Sequence, residues 1–298
     1  MPFDLVTILG PTASGKTSIA AKFATKINGE IISADSRQVY LGMDIGTGKD
    51  LIEFRKNNVK YHLIDIVEPT EEYNVFRFTK DFQSSFELIK KVGKFPVLVG
   101  GSGLYLSAVL QSYQLPTVTE FESGNLENMS LSELKEMLIK LKPKLHNVTD
   151  LKSKERLIQA IIIEQSRNRS DKNAISLNWL NIGIKLSRDE LKRRITERLK
   201  SRLATGMIDE VKTLLQKGIT HEKLNFFGLE YKFISLHLKG ELNYNDMFQK
   251  LNSSIHTFAK RQMTWFRKME REGVEINWFH PDHYDEIENF VISKLNNA

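Results

Sequence analysis

The apolar run Leu5, Val6, Thr7, Ile8, Leu9 leads directly into GPTASGKT at residues 10–17, and a stretch of helical period follows over 18–27. A G-x-x-x-x-G-K-T loop between a strand and a helix commits the chain to an α/β architecture with an anion seat at its first turn. Gly10 and Gly15 let the backbone curl without a Cβ clash, so the loop through Pro11, Thr12, Ala13 and Ser14 can aim successive N–H groups at phosphate oxygens. The following helix adds its positive N-terminal end. Lys16 brings a point charge to the terminal phosphates, and the Thr17 hydroxyl is a ligand for a magnesium ion that neutralises the rest. The loop alone leaves open whether the phosphate is transferred, hydrolysed or discarded.

With 298 residues and 41% hydrophobic composition, the chain can bury a good core as one large domain or two small ones. The absence of Cys removes disulfides, cysteine zinc sites and a thiol nucleophile together. The first strand begins almost at Met1, which leaves no room for a signal peptide. No apolar run approaches the roughly 18 residues of a membrane span. The expectation is a cytoplasmic protein with no membrane association. The net charge is +6, and the basic residues gather in the second half, which points to a polyanion partner.

Apolar runs with the character of buried strands lie at 5–9, 31–33, 62–66, 96–99 and 179–186, with helical periods such as 76–92 between most of them. This alternation predicts a parallel sheet covered on both faces, whose ligands sit beyond the carboxyl ends of the strands. The glycine-rich loop, Asp35-Ser36-Arg37-Gln38, Asp65 and Gly100-Gly101-Ser102-Gly103 all follow such runs. Between 115 and 178 the pattern becomes purely helical, at 130–141 and 154–165, and Ser130 with Glu133 reads as a capping box. The expected organisation is an α/β core of residues 1–114 and 179–298 with a basic helical C-terminal part, interrupted by a helical insertion at 115–178. Helices are expected at 188–216 and 244–270, and a short closing strand at 274–278.

A carboxylate at Asp35 could hold magnesium, cap a helix or accept a proton from a nucleophile near the phosphate, and the residues by themselves select none of these. Asp65 resembles the acidic support for magnesium in phosphate-loop proteins, but equally a turn residue. Arg193, Arg194 and Arg198 share one predicted helix, and the spacing of Arg194 and Arg198 places that pair on one face, either solvated or reaching over a diphosphate. In KRQMTWFRK (260–268) cations alternate with Trp265 and Phe266, which suits either RNA contact or a helix packed on the core. Adjacent aromatics cannot face one way on a helix, so at least one is structural. The seven His residues show no metal-ligand spacing.

Taken together, GPTASGKT (10–17), DSRQVYLGMDIGTGK (35–49), HLID (62–65), VGGSGLY (99–105), RITER (194–198) and AKRQMTWFR (259–267) make the chain resemble the tRNA dimethylallyltransferases, also called tRNA isopentenyltransferases. The resemblance covers nearly the whole chain outside the insertion. It implies a P-loop NTPase-like core in which the glycine-rich loop holds the diphosphate leaving group of dimethylallyl diphosphate. The dimethylallyl group then moves to N6 of the adenosine immediately 3′ of the anticodon in tRNA. On that resemblance Asp35 is the general base and Arg198 the diphosphate-binding cation, with Lys16 and with Thr17 holding Mg2+. The resemblance implies tRNA contacts at Asp35, Ser36, Arg37, Gln38 and Ser102. It implies further contacts at Glu155, Arg156, Leu157, Ile158 and Gln159 of the insertion, and at Lys260, Arg261, Gln262, Trp265 and Arg267. The enzyme is expected to act as a monomer.

Several positions depart from the family pattern. Ser102 stands where Thr is usual, Glu155 where Gln is usual, and Gln159 replaces one member of a basic pair that keeps Arg156. Gly228-Leu229-Glu230-Tyr231 replaces a Gly-Tyr-Lys-Glu run. The competing readings are a small-molecule or nucleotide kinase, an isopentenyltransferase for free adenine nucleotides, and a regulatory RNA-binding module.

Overall fold

Leu5–Leu9, the run that precedes the glycine-rich loop, is the fully buried strand β1 of a six-stranded parallel sheet. The structure, a computed structural model, describes residues 2–111, 126, 128–141, 154, 157–158, 160–161 and 177–296. The other strands are β2 (Gly29–Ala34), β3 (Tyr61–His62), β4 (Phe95–Gly100), β5 (Trp179–Ile184) and β6 (Asn277–Phe279), in the spatial order β3-β2-β4-β1-β5-β6. β1 pairs with β4 through Val6 and Val97 and with β5 through Val6 and Leu180, so both its edges and both its faces are covered. Such a strand is built from continuous apolar residues rather than an alternation.

The crossover helices are α1 (Lys16–Lys26), α2 (Leu51–Lys56), α3 (Val75–Lys91) and α4 (Gly103–Leu110). α1 lays Ile19, Ala20, Ala21, Phe23 and Ala24 on the sheet, and its three alanines allow close approach. α3 starts where the Asn74 side chain accepts from the N–H groups of Phe76 and Arg77, both at 3.1 Å, and buries Phe78, Phe82, Phe86 and Ile89. In the second described unit α5 (Leu131–Leu141) opens on the expected capping box. Ser130 N–H donates to Glu133 at 2.7 Å, and Glu133 N–H donates to Ser130 Oγ at 3.3 Å.

The C-terminal helices are α6 (Arg188–Ala204), α7 (Met207–Gln216), α8 (His221–Phe226), α9 (Leu229–Leu238), α10 (Tyr244–Arg271) and α11 (Tyr284–Asn296). The single helix expected over 188–216 is two, because Gly206 takes φ +101° and breaks the ladder. The strand expected over 62–66 ends at His62, since Leu63 and Asp65 adopt φ of 62° and 55°. The closing strand begins later than expected, at Asn277.

The chain divides into two compact units, Met1–Leu106 with Leu177–Ala298, and Ser107–Ser176. The second therefore begins inside α4, ahead of the expected boundary at 115. Among the described residues no helix is long and apolar enough to cross a membrane.

Candidate active site

The carboxyl ends of β1, β2 and β4 deliver three loops to one rim. After Leu9 the chain turns at Gly10, where a Cβ would stand 2.8 Å from both the Ile184 carbonyl and Ser14 Oγ. Only glycine fits that approach. Ala13 and Gly15 take φ of 61° and 86°, and Lys16 opens α1. Pro11 and Ser14 are buried, while Gly15 is exposed. The Lys16 ammonium folds back over its own loop and donates to the Pro11 carbonyl at 3.3 Å. Burial first, and then the Arg198 charge, push its pKa down to about 8, against the opposing influence of Asp35 and Asp50.

Asp35 follows β2 and is half-buried, with Oδ1 accepting the Arg37 N–H at 2.9 Å in a local turn. Ser36 N–H donates to Ser102 Oγ at 3.3 Å, which ties the β2 loop to the β4 loop. Gln38 accepts from Ser33 Oγ and donates to the Gly48 carbonyl at 3.1 Å. Arg37 lies over the Phe226 ring, 4.7 Å from its centroid.

Arg198 reaches this rim from α6. Its Nη2 donates to both Asp50 oxygens at 3.2 and 3.3 Å and to the Gly48 carbonyl at 3.4 Å, and Nη1 donates to Thr12 Oγ1 at 3.4 Å. The other arginines of the helix go elsewhere. Arg193 is exposed beside Glu197, and Arg194 is held by Glu190 at 2.8 Å and Asp282 at 3.4 Å. Glu190 and Asp282 also flank His280, the one cluster of metal-capable side chains among the described residues, and Arg194 already occupies it.

Asp65, open between metal support and turn, is bonded to the buried Lys49 ammonium, which also donates to the Tyr40 carbonyl at 2.6 Å and to Asp44 at 2.8 Å. Its carboxylate therefore anchors the 43–50 loop. Glu210 of α7 holds the same loop, accepting the N–H groups of Asp44, Ile45 and Gly46 at 2.8, 2.6 and 3.0 Å and the Tyr231 hydroxyl at 2.7 Å. Nothing local in the sequence marks Glu210, whose partners all come from distant elements, and the burial of Lys49 depends on Asp65 and the Tyr40 carbonyl as well as on the nearby Asp44.

The basic block on α10 divides by face. Lys260, Arg261 and Arg267 are exposed, whereas Ala259, Gln262, Phe266 and Met269 are buried. Phe266 is the structural aromatic, packed 6.1 Å from Trp278, while the half-buried Trp265 lies against Gly103, where a Cβ would come within 2.3 Å of its ring. Gln262 is not an exposed RNA contact. It is buried, its Oε1 accepts the Thr12 N–H at 2.8 Å, and its Nε2 donates to the Gly101 carbonyl at 2.8 Å. Leu157 is likewise buried, 0% exposed, so its side chain is unavailable to RNA, and Ile158 is half-buried. Glu155, Arg156 and Gln159 lie outside the described residues.

The arrangement suits holding an anion at the glycine-rich loop while a carboxylate waits beside it. Residues 38–269 match the family described as IPP transferase, and residues 3–65 match the one described as isopentenyl transferase. The tRNA dimethylallyltransferase 2 of Syntrophotalea carbinolica is 52% identical over 93% of this chain and 94% of its own length. The tRNA dimethylallyltransferase 1 of Azobacteroides pseudotrichonymphae is 48% identical over 97% and 98%. Among solved structures, the full-length tRNA isopentenylpyrophosphate transferase of Bacillus halodurans superposes with a TM-score of 0.73 at 33% identity, covering 99% of this chain and 97% of that one. Sequence, motif order and fold agree, and the chain belongs to the IPP transferase family of tRNA dimethylallyltransferases.

Proposed function

We infer that this protein transfers a dimethylallyl group from dimethylallyl diphosphate to N6 of the adenosine immediately 3′ of the anticodon in tRNA, releasing diphosphate. The observation that carries this reading is convergence. Arg198 touches Thr12 of the glycine-rich loop, and Asp35 leaves β2 on the same rim of the parallel sheet at which that loop leaves β1. Breaking an allylic C–O bond builds negative charge on diphosphate, which Lys16, the amides of residues 15–17 and Arg198 stabilise. Asp35 takes the proton from the adenine amine as N6 bonds to the allylic carbon.

Magnesium fits the donor set at Thr17, a single hydroxyl that leaves room for phosphate oxygens and water, the mixture this ion prefers. When bound it would neutralise charge on the diphosphate. The P-loop NTPase-like description of the core rests on the glycine-rich loop between β1 and α1. We read 107–176 as an inserted helical lobe that contacts tRNA, and the exposed cations Lys260, Arg261 and Arg267 as phosphate contacts. An adenine stacked in an anticodon loop must be extruded to reach Asp35. A cytoplasmic, monomeric enzyme accords with this role.

The test is incubation with radiolabelled dimethylallyl diphosphate and magnesium, offering unmodified tRNA, AMP, or tRNA with guanosine in place of the target adenosine. Label is expected in the unmodified tRNA alone. Incorporation into AMP, or into the guanosine variant, overturns the reading.

A further inference from the structure

The stripe of α6 that carries Arg194 and Arg198 continues one turn on to Arg202, whose side chain is only 14% exposed. Its Nη1 lies 3.6 Å from Glu230, while its Nη2 is buried and has no hydrogen-bond partner among the described residues. That nitrogen rests on Gly48. A Cβ at Gly48 would stand 1.4 Å from Arg202 Nη2 and 2.6 Å from Arg198 Nη2, so the two guanidinium nitrogens lie no farther apart than the sum of those distances.

Two guanidinium groups at that separation repel, and among the described residues each is paired with one carboxylate: Asp50 for Arg198 and Glu230 for Arg202. Burial and Arg198 lower the Arg202 pKa to about 10, which leaves it charged at neutral pH. Lys16 makes a third cation in the same field, its pKa depressed by both arginines. Two adjacent guanidinium groups, one touching the loop that carries Lys16 and the other with a buried donor unpartnered, favour an anion carrying more than one charge.

We propose that Arg202 is a second guanidinium of the diphosphate site, its Nη2 donating to an oxygen of the departing diphosphate beside Arg198 while Glu230 holds its other edge. This rests on the reading that the glycine-rich loop cradles diphosphate. Glu230 acts as a positioning residue, fixing the guanidinium so that Nη2 faces Gly48 rather than solvent. The pair thereby extends the anion site from the first loop to the 43–50 loop.

Titration of inorganic diphosphate into the full-length protein by calorimetry tests this, with tRNA binding measured in parallel. Arg202→Met combined with Glu230→Gln avoids leaving a buried carboxylate unpaired. The double variant is expected to bind diphosphate about tenfold to a hundredfold more weakly, with unchanged tRNA affinity and a native circular dichroism spectrum. Glu230→Gln alone is expected to cost less than the double variant. Wild-type binding of diphosphate with equal binding by the double variant overturns the role of Arg202 and leaves the cradle intact. Failure of the wild type to bind diphosphate overturns both. A parallel loss of tRNA and diphosphate binding reduces the pair to a structural contact and also overturns the proposal.

Discussion

Gln262 accepts the Thr12 N–H at 2.8 Å across 250 positions of sequence and donates to the Gly101 carbonyl at the same distance, so α10 fixes two loops of the site relative to each other. Replacing it with Leu leaves a half-buried N–H and a buried carbonyl unpaired, at a cost of about 2 kcal/mol in stability. Gln262→Leu is expected to raise KM for dimethylallyl diphosphate and lower kcat while tRNA affinity holds, because Lys260, Arg261 and Arg267 keep their exposed positions. Steady-state kinetics with filter binding of tRNA separates the two.

Asp35→Asn keeps the size of the side chain and its ability to accept from the Arg37 N–H, but removes the base. Diphosphate binding should persist while turnover falls about a hundredfold or more. Single-turnover transfer measurements check this, and near-wild-type turnover would take Asp35 out of the base role.

Lys16 sets a pH dependence with a definite sign. Its ammonium is charged below about pH 8 and neutral above, so diphosphate binding loses its help as the pH rises through that value. Diphosphate itself ionises in this range, so the informative quantity is the Kd of Lys16→Ala divided by that of the wild type. That ratio is expected to be constant below the pKa of Lys16 and to shrink toward one above it.

Gly48 is the position at which a single methyl group should do most damage to anion binding. Its φ of +65° disfavours any other residue, and its Cβ would collide with both Arg198 and Arg202. Gly48→Ala is expected to weaken inorganic diphosphate at least about tenfold, a loss read by calorimetry. The strain of the left-handed backbone, about 1–2 kcal/mol, should show separately in urea unfolding.

Glu210→Ala releases three loop N–H groups and the Tyr231 hydroxyl together. A stability loss of about 2 kcal/mol is expected, along with a higher KM for dimethylallyl diphosphate because Gly48 and Asp50 lose their register. Chemical denaturation and kinetics on the same variant check both parts, and an unchanged KM would confine Glu210 to a stabilising role.

The parallel sheet is legible in the chain alone, because buried parallel strands need continuous apolar runs and β1 and β4 have them. The glycine-rich loop is legible in the same way, its glycines and lysine read from spacing alone, and the adjacency of Trp265 and Phe266 already required at least one of them to be structural. The partners of the polar side chains come instead from the packing of distant elements. Asp65 could have faced a metal, and the fold gave it to Lys49. Gln262 sits inside a basic block and turned inward because its helix crosses the two loops. Arg198 and Arg202 share a stripe that also carries Arg194, and the positions of Asp50, Glu230 and Asp282 on other elements sort the three. Periodicity and steric demand are local properties of a chain, whereas the hydrogen-bond partner of a long polar side chain is set by whichever distant element the packing brings within about 3 Å.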